Sequence, residues 1–98
     1  MKASRPFTEY LDKKLQEPGE AEAYLNAALD EGDDVFLLAL NDVARAYGIA
    51  KVAEQTELAR TNLYRMLSKG GNPRLSSLEA ILDALGMRLR IESKDTAA

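Results

Sequence analysis

The sequence contains no cysteine and no histidine. The first absence excludes disulfides and thiolate nucleophiles. The second removes imidazole acid–base chemistry, and together they exclude Cys/His zinc sites. Carboxylate chemistry survives these exclusions. Yet no Asp or Glu stands beside a glycine-rich phosphate loop or another recognisable catalytic arrangement, so an enzyme is the least supported class, and neither a metal nor a cofactor is expected. No apolar run approaches the roughly 18 residues of a membrane span. The opening "MKASRPFTEYLDKK" lacks the apolar core of a secretory signal. A cytoplasmic protein without a membrane partner is the expectation.

What is present is compatible with one small domain, 1–98, around a single core. The chain has 98 residues, 46% of them hydrophobic, and its 30% share of charged residues comes with aromatics spread along the chain. Its net charge of −3 is unevenly distributed. Residues 1–48 hold five basic and ten acidic side chains, net −5, whereas residues 49–98 hold eight and six, net +2. The window 49–75 sets Lys51, Arg60, Arg65, Lys69 and Arg74 against Glu54 and Glu57, net +3. Charges beyond about 8–10 Å are screened, so the local sign decides which partner a surface attracts. An acidic front half and a basic middle point to two different partners.

Periodicity predicts helices over 7–16, 20–32, 33–48, 49–56, 59–68 and 76–86. Thr8 is a candidate cap for the first, and Gly32 a candidate stop for the second. Asp33 or Asp34 serves as cap of the third, and Gly48 ends it. Asp30, Glu31, Asp33 and Asp34 cluster at the junction between two helices, where a solvated loop is the simple reading. Ser76 or Ser77 is the candidate cap of the last helix, with Glu79 in its first turn and Gly86 closing it. In "MRLRIES" (87–93), Met87, Leu89 and Ile91 alternate with Arg88, Arg90 and Glu92, the pattern of a half-buried strand. A lone strand in a helical chain needs a partner, which pairing across a dimer axis would supply.

The stretch "LARTNLYRMLSKGGNP" (58–73) carries the functional signal. Two helices crossing through a tight turn require a small residue where the backbones approach and apolar residues facing the core. Ala53 is the small residue, Leu58 plugs the turn, and Leu63 and Met66 face inward. Glu57 stands where glycine is usual. A left-handed conformation there costs a non-glycine residue about 1–2 kcal/mol, which predicts a slightly reshaped turn. With Leu63 and Met66 inside, Arg60, Thr61, Tyr64 and Arg65 lie on the outward face, with Asn62 at its edge. Arg can grip guanine bidentately, Asn can grip adenine, and the Thr methyl can meet the thymine methyl. A polar solvated face is the plainer alternative.

These positions resemble the helix-turn-helix of the Cro/phage-repressor class. The longer stretches "YLNAALDEGDDVFLLALNDVARAYG" and "VAEQTELARTNLYRMLSKGGNPRLSSLEAILDALGMRLRI" resemble the probable addiction-module antidote family. The resemblance runs from about Phe7 to Ile91. Its most specific parts are Tyr24-Leu25, Val43-Ala44-Arg45, Leu63-Tyr64 followed by Leu67-Ser68, Gly71-Asn72-Pro73 and Ala84-Leu85-Gly86. It implies a small antitoxin that represses its own operon and neutralises a RelE/ParE-like toxin. The implied fold is mainly α: a Cro-like bundle of about five to six helices with one short C-terminal strand. Within it, 7–31 form an N-terminal helical extension and 33–86 the helix-turn-helix core.

Carried over by position, the resemblance assigns base reading to Arg60, Thr61 and Arg65, beside Asn62. It places Ser68 in a phosphate-contacting stretch where Lys69, Asn72 and Arg74 also serve, with Lys51 on the flanking backbone. Tyr64 has two open roles: packing its ring on the helix pair and reaching phosphate with its hydroxyl. For the toxin, Tyr10, Leu11, Tyr24, Leu25 and Leu29 are the candidates for an apolar stripe with acidic flanks. Core packing is the plainer role for each of them. The expected partners are therefore double-stranded operator DNA, a toxin and a second copy of the chain. The competing readings are a protein-interaction module or a regulator with no toxin. A salt-dependent shift on operator DNA separates the interaction module from a DNA binder.

Overall fold

The computed structural model describes residues 6–95 and shows six helices. They are α1 (Pro6–Leu15), α2 (Pro18–Leu29), α3 (Asp33–Tyr47), α4 (Ile49–Thr56), α5 (Arg60–Met66) and α6 (Leu75–Ala84). The mainly α expectation holds, and all six expected helices are present: α4 has the expected bounds, and the other five have shifted ends. Among the described residues no helix is long and apolar enough to cross a membrane.

The shifts have local causes. Helix α1 starts at Pro6, so Thr8 lies inside its first turn rather than capping it. Helix α2 starts at Pro18, before residue 20, because proline's fixed φ suits a first helical position whose N–H would be orphaned anyway. It ends at Leu29, and Gly32, at φ 128°, precedes α3 instead of closing α2. Asp33 and Asp34 fall in the first turn of α3, where carboxylates favour the helix dipole, and neither caps it. Helix α6 starts at Leu75 after Arg74, so Ser76 and Ser77 are inside it and Glu79 is beyond its first turn. Gly86 does follow its end. The Met87 N–H reaches Leu82 O at 2.8 Å and the Gly86 N–H reaches Asp83 O at 2.9 Å, a Schellman closure that needs Gly86's φ of 79°.

Helix α3 is the central element. It packs against α1, α2 and α4, and α4 in turn packs against α5 and α6. Its apolar residues recur around well over one face: Phe36, Leu37, Ala39, Leu40, Val43, Ala44 and Ala46 are all buried. Leu15, Ala21, Leu25 and Ala28 cover this face from α1 and α2. Val52, Leu63, Leu67, Ile81 and Leu82 complete the core from the other side. No polar side chain is buried among the described residues. The outer rim is tied by a polar chain. Tyr24 Oη donates to Asp42 Oδ2 at 2.6 Å, and Arg45 bridges Asp42 and Asp12 at 3.1 and 2.9 Å. Partial burial, followed by the Asp42 bond, pushes the Tyr24 hydroxyl up to about 12. A raised folded-state value stabilises the fold fully below pH ~10, and the contribution disappears as pH rises through that shifted value.

The expected strand at 87–93 is not a strand. The segment carries no assigned helix, turn or bend, but among the described residues it has no neighbouring strand to form a ladder, and the alternation of its side chains alone does not make one.

The turn between α4 and α5 also departs from expectation. It is not reshaped to spare Glu57, which takes the left-handed conformation outright, at φ 62° and ψ 21°. Thr56 secures the entry: its Oγ1 donates to Val52 O at 2.6 Å and accepts the Leu58 N–H at 3.2 Å. Glu57→Gly removes the strain but loosens the unfolded chain. The variant is expected to gain about 0.5–1 kcal/mol of stability, read as a melting temperature higher by a few degrees. An unchanged or lower melting temperature contradicts this.

Candidate nucleic-acid interface

Helix α5 is only seven residues long, and one residue sets its roll. Leu63 is fully buried, and half-buried Met66 packs on the same core. The opposite side therefore carries Arg60, Thr61, Asn62, Tyr64 and Arg65, all exposed. Ala59 precedes the helix without a side-chain cap. Arg60, Arg65, Lys69 and Arg74 form no ion pair among the described residues, whereas Arg45 and Lys14 do.

Past α5 the chain bends into a loop, 68–74, that extends this face. Asn62, Arg65, Ser68, Asn72 and Arg74 line one open concavity of about 510 Å³, with Ser77 at its edge and no acidic residue in its lining. Arg60, Thr61, Tyr64 and Lys69 lie outside it, on the same helix and loop. Lys51 is on α4, with its ammonium 5.4 Å from the centre of the Tyr47 ring, and Gln55 Nε2 donates to the Tyr47 hydroxyl at 3.3 Å. The Ser68 hydroxyl already donates to Arg65 O at 2.8 Å, so any phosphate it meets competes with that bond.

Two residues of α3 that the sequence reading did not assign to this face hold the loop in place. Asn41 Nδ2 donates to Leu67 O at 2.9 Å, and Asp34 Oδ1 accepts the Gly70 N–H at 2.9 Å. Asn41 gave one faint signal, a polar residue beside the buried Leu40 on an otherwise apolar flank. Asp34 gave none, because an acid at a helix start reads as solvated.

The five residues considered for a protein partner separate. Leu25 is a core residue and offers no surface. Leu11 and Tyr24 are half-buried against the core, and the Tyr24 hydroxyl is engaged by Asp42. Tyr10 and Leu29 are exposed, and Phe7, one turn before Tyr10, is more exposed still at 71%. Phe7 went unnoticed because two aromatics on a short helix read as core.

These features describe a small, mainly helical protein with an open concavity lined by Arg65 and Arg74 and by no acidic residue, and with exposed aromatics on its first helix. A family model described as "Probable addiction module antidote protein" matches residues 5–93, and the chain belongs to that family. It is also 32% identical over 74 residues to an uncharacterised protein of Haemophilus influenzae, covering 74% of this chain and 76% of that protein. No solved structure matches. Membership of an antidote family implies the antitoxin role and a toxin as partner.

Proposed function

We propose that the chain is the antitoxin of a type II toxin–antitoxin module. In this reading it binds operator DNA through α4 and α5 as a Cro-like helix-turn-helix, represses its own operon, and neutralises a RelE/ParE-like toxin in the cytoplasm. The observation that carries the DNA half is the exposed set Arg60, Thr61, Asn62 and Arg65 on α5, whose side chains have no partner among the described residues and of which Asn62 and Arg65 line the acid-free concavity. The α5 residues meet base edges, while Lys69, Asn72, Arg74, Ser68, Tyr64 and Lys51 meet the phosphate backbone. A homodimer presents two such helices about 34–36 Å apart, in successive major grooves. The apolar patch of Phe7 and Tyr10, with acids concentrated in the front half of the chain, supports a basic protein as the second partner.

Titration of upstream operator and random DNA at several salt concentrations tests the DNA half. Arg60→Ala is expected to lose about 1–3 kcal/mol on the operator and little on random DNA. Equal loss on both makes Arg60 a phosphate clamp, and no loss on either removes it from the interface. Lys69→Ala is expected to weaken both DNAs alike and lower the salt slope by about 1. Co-purification with the product of the neighbouring gene tests the toxin half.

A further inference from the structure

The open concavity of about 510 Å³ takes its walls from α5, the loop 68–74 and the first turn of α6, and most of its polar side chains are unsatisfied. Asn62, Arg65, Asn72, Arg74 and Ser77 make no side-chain hydrogen bond or ion pair among the described residues. Ser68 alone is engaged, through Arg65 O. Arg45 and Lys14, by contrast, are both matched with acids. No carboxylate stands in the lining to neutralise the Arg65 and Arg74 guanidiniums. Two like charges lining one space repel, and an anion between them relieves the repulsion.

The walls are held in place. Gly71 packs so closely on the backbone of Met66 and Arg65 that no Cβ fits, and Asp34 and Asn41 tie the loop to α3. Ser77 is half-buried on α6, so the helix fixes where its hydroxyl starts from. One hydroxyl and two guanidiniums suit the oxygens of a phosphate, which accept charge-assisted hydrogen bonds. The space is far larger than a phosphate group, and Met66 and Pro73 add apolar wall to it. A phosphodiester can use that extra wall, because its flanking sugars bring carbon to it. A free phosphate cannot.

We propose that the concavity seats one phosphodiester of the DNA backbone, with Arg65 and Arg74 as its cationic clamp and the Ser77 hydroxyl donating to a phosphate oxygen. This rests on the DNA reading above and refines it. Ser77 joins the interface, and Arg65 moves from the base edges to the backbone. Arg60 and Thr61, which lie outside the concavity, keep the bases. Backbone contacts fix register and carry no sequence information of their own, so the two arginines of α5 answer differently to a change of DNA sequence.

Wild type, Arg65→Ala, Ser77→Ala, Ser77→Thr and Ser77→Glu are titrated with upstream operator and random DNA at several salt concentrations, and each is melted. Arg65→Ala is expected to weaken both DNAs alike and to lower the salt slope by about 1. Ser77→Ala is expected to weaken both roughly tenfold with the slope unchanged, because it removes a hydrogen bond to a charged group and no charge. Ser77→Thr keeps the hydroxyl and the wild-type affinity. Ser77→Glu is expected to melt no lower than wild type, since a carboxylate in the first turn of a helix favours its dipole. It nevertheless loses both DNAs, because it fills the seat with negative charge. Arg65→Ala weakening the operator alone returns Arg65 to the bases and overturns the clamp. Wild-type affinity in Ser77→Ala and Ser77→Glu overturns the seat. A wild-type chain that binds neither DNA overturns the DNA reading instead, and inorganic phosphate then decides the concavity separately. If phosphate raises the melting temperature of wild type and not of Ser77→Glu, the site belongs to a small phosphate and not to a diester; if it raises neither, the concavity holds no anion.

Discussion

A chain lacking residues 1–31 is expected to lose its fold, and not merely one partner. Leu15, Ala21, Leu25 and Ala28 belong to the core, and their removal uncovers Phe36, Leu40 and Val43 on α3. Burying one leucine contributes about 1.5–3 kcal/mol, so the two lost leucines alone remove about 3–6. Newly exposed surface on α3 adds to that, and the total is comparable to the ~5–15 kcal/mol that stabilises a domain. Denaturant unfolding of this fragment, followed by circular dichroism, is expected to show no cooperative transition. A cooperative transition with intact operator binding would make α1 and α2 a dispensable extension. The partner surface is therefore better probed by Phe7→Ala, Tyr10→Ala and Leu29→Ala, whose side chains contribute little to the core. Loss of toxin rescue with unchanged melting places the toxin there, and unchanged rescue in all three places it elsewhere.

Gly71→Ala is expected to damage both stability and DNA binding. The φ of Gly71 is not left-handed, so its requirement is space. An added Cβ would overlap the Met66 carbonyl oxygen and lie 2.9 Å from the Met66 carbonyl carbon and 3.0 Å from Arg65 O. These are backbone atoms of the last turn of α5 and have no rotamer through which to yield. Overpacking of this kind costs about 1–3 kcal/mol, and each kcal/mol lowers the melting temperature of a domain this size by about 4–8 °C. The strain falls on the link between α5 and Arg74, so operator affinity is expected to fall further than the melting shift alone explains. Melting and affinity both equal to wild type would mean the loop has room that its geometry does not display.

The helices were legible because their apolar residues recur at three- and four-residue steps. Their ends were less so, since Pro6, Pro18 and Leu75 start helices where Thr8, Glu20 and Ser76 look like better signals. The roll of α5 followed from Leu63 and Met66 facing inward, and the structure leaves Arg60, Thr61, Asn62 and Arg65 outside as periodicity requires. Two kinds of feature escaped. Leu25 and Leu29 carry the same side chain on one helix, yet one is in the core and the other in solvent, because tertiary neighbours decide burial. Asn41 and Asp34 act on backbone groups about thirty residues away in sequence, and no local pattern encodes such a pairing.

The Asp34 carboxylate stands in the first turn of α3, next to the acidic bend that precedes it, yet it accepts its hydrogen bond from the loop that carries Lys69 and Arg74. A cation drawn to that bend and the Gly70 amide would compete for the same oxygen atoms. Thermodynamics then makes the traffic two-way: whatever factor a basic ligand at the bend applies to affinity at the loop, a ligand at the loop must apply to affinity at the bend. Asp34→Asn keeps an acceptor for Gly70 while discarding the charge, and Asp34→Ala discards both, so the pair separates the mechanical part of this communication from the electrostatic part.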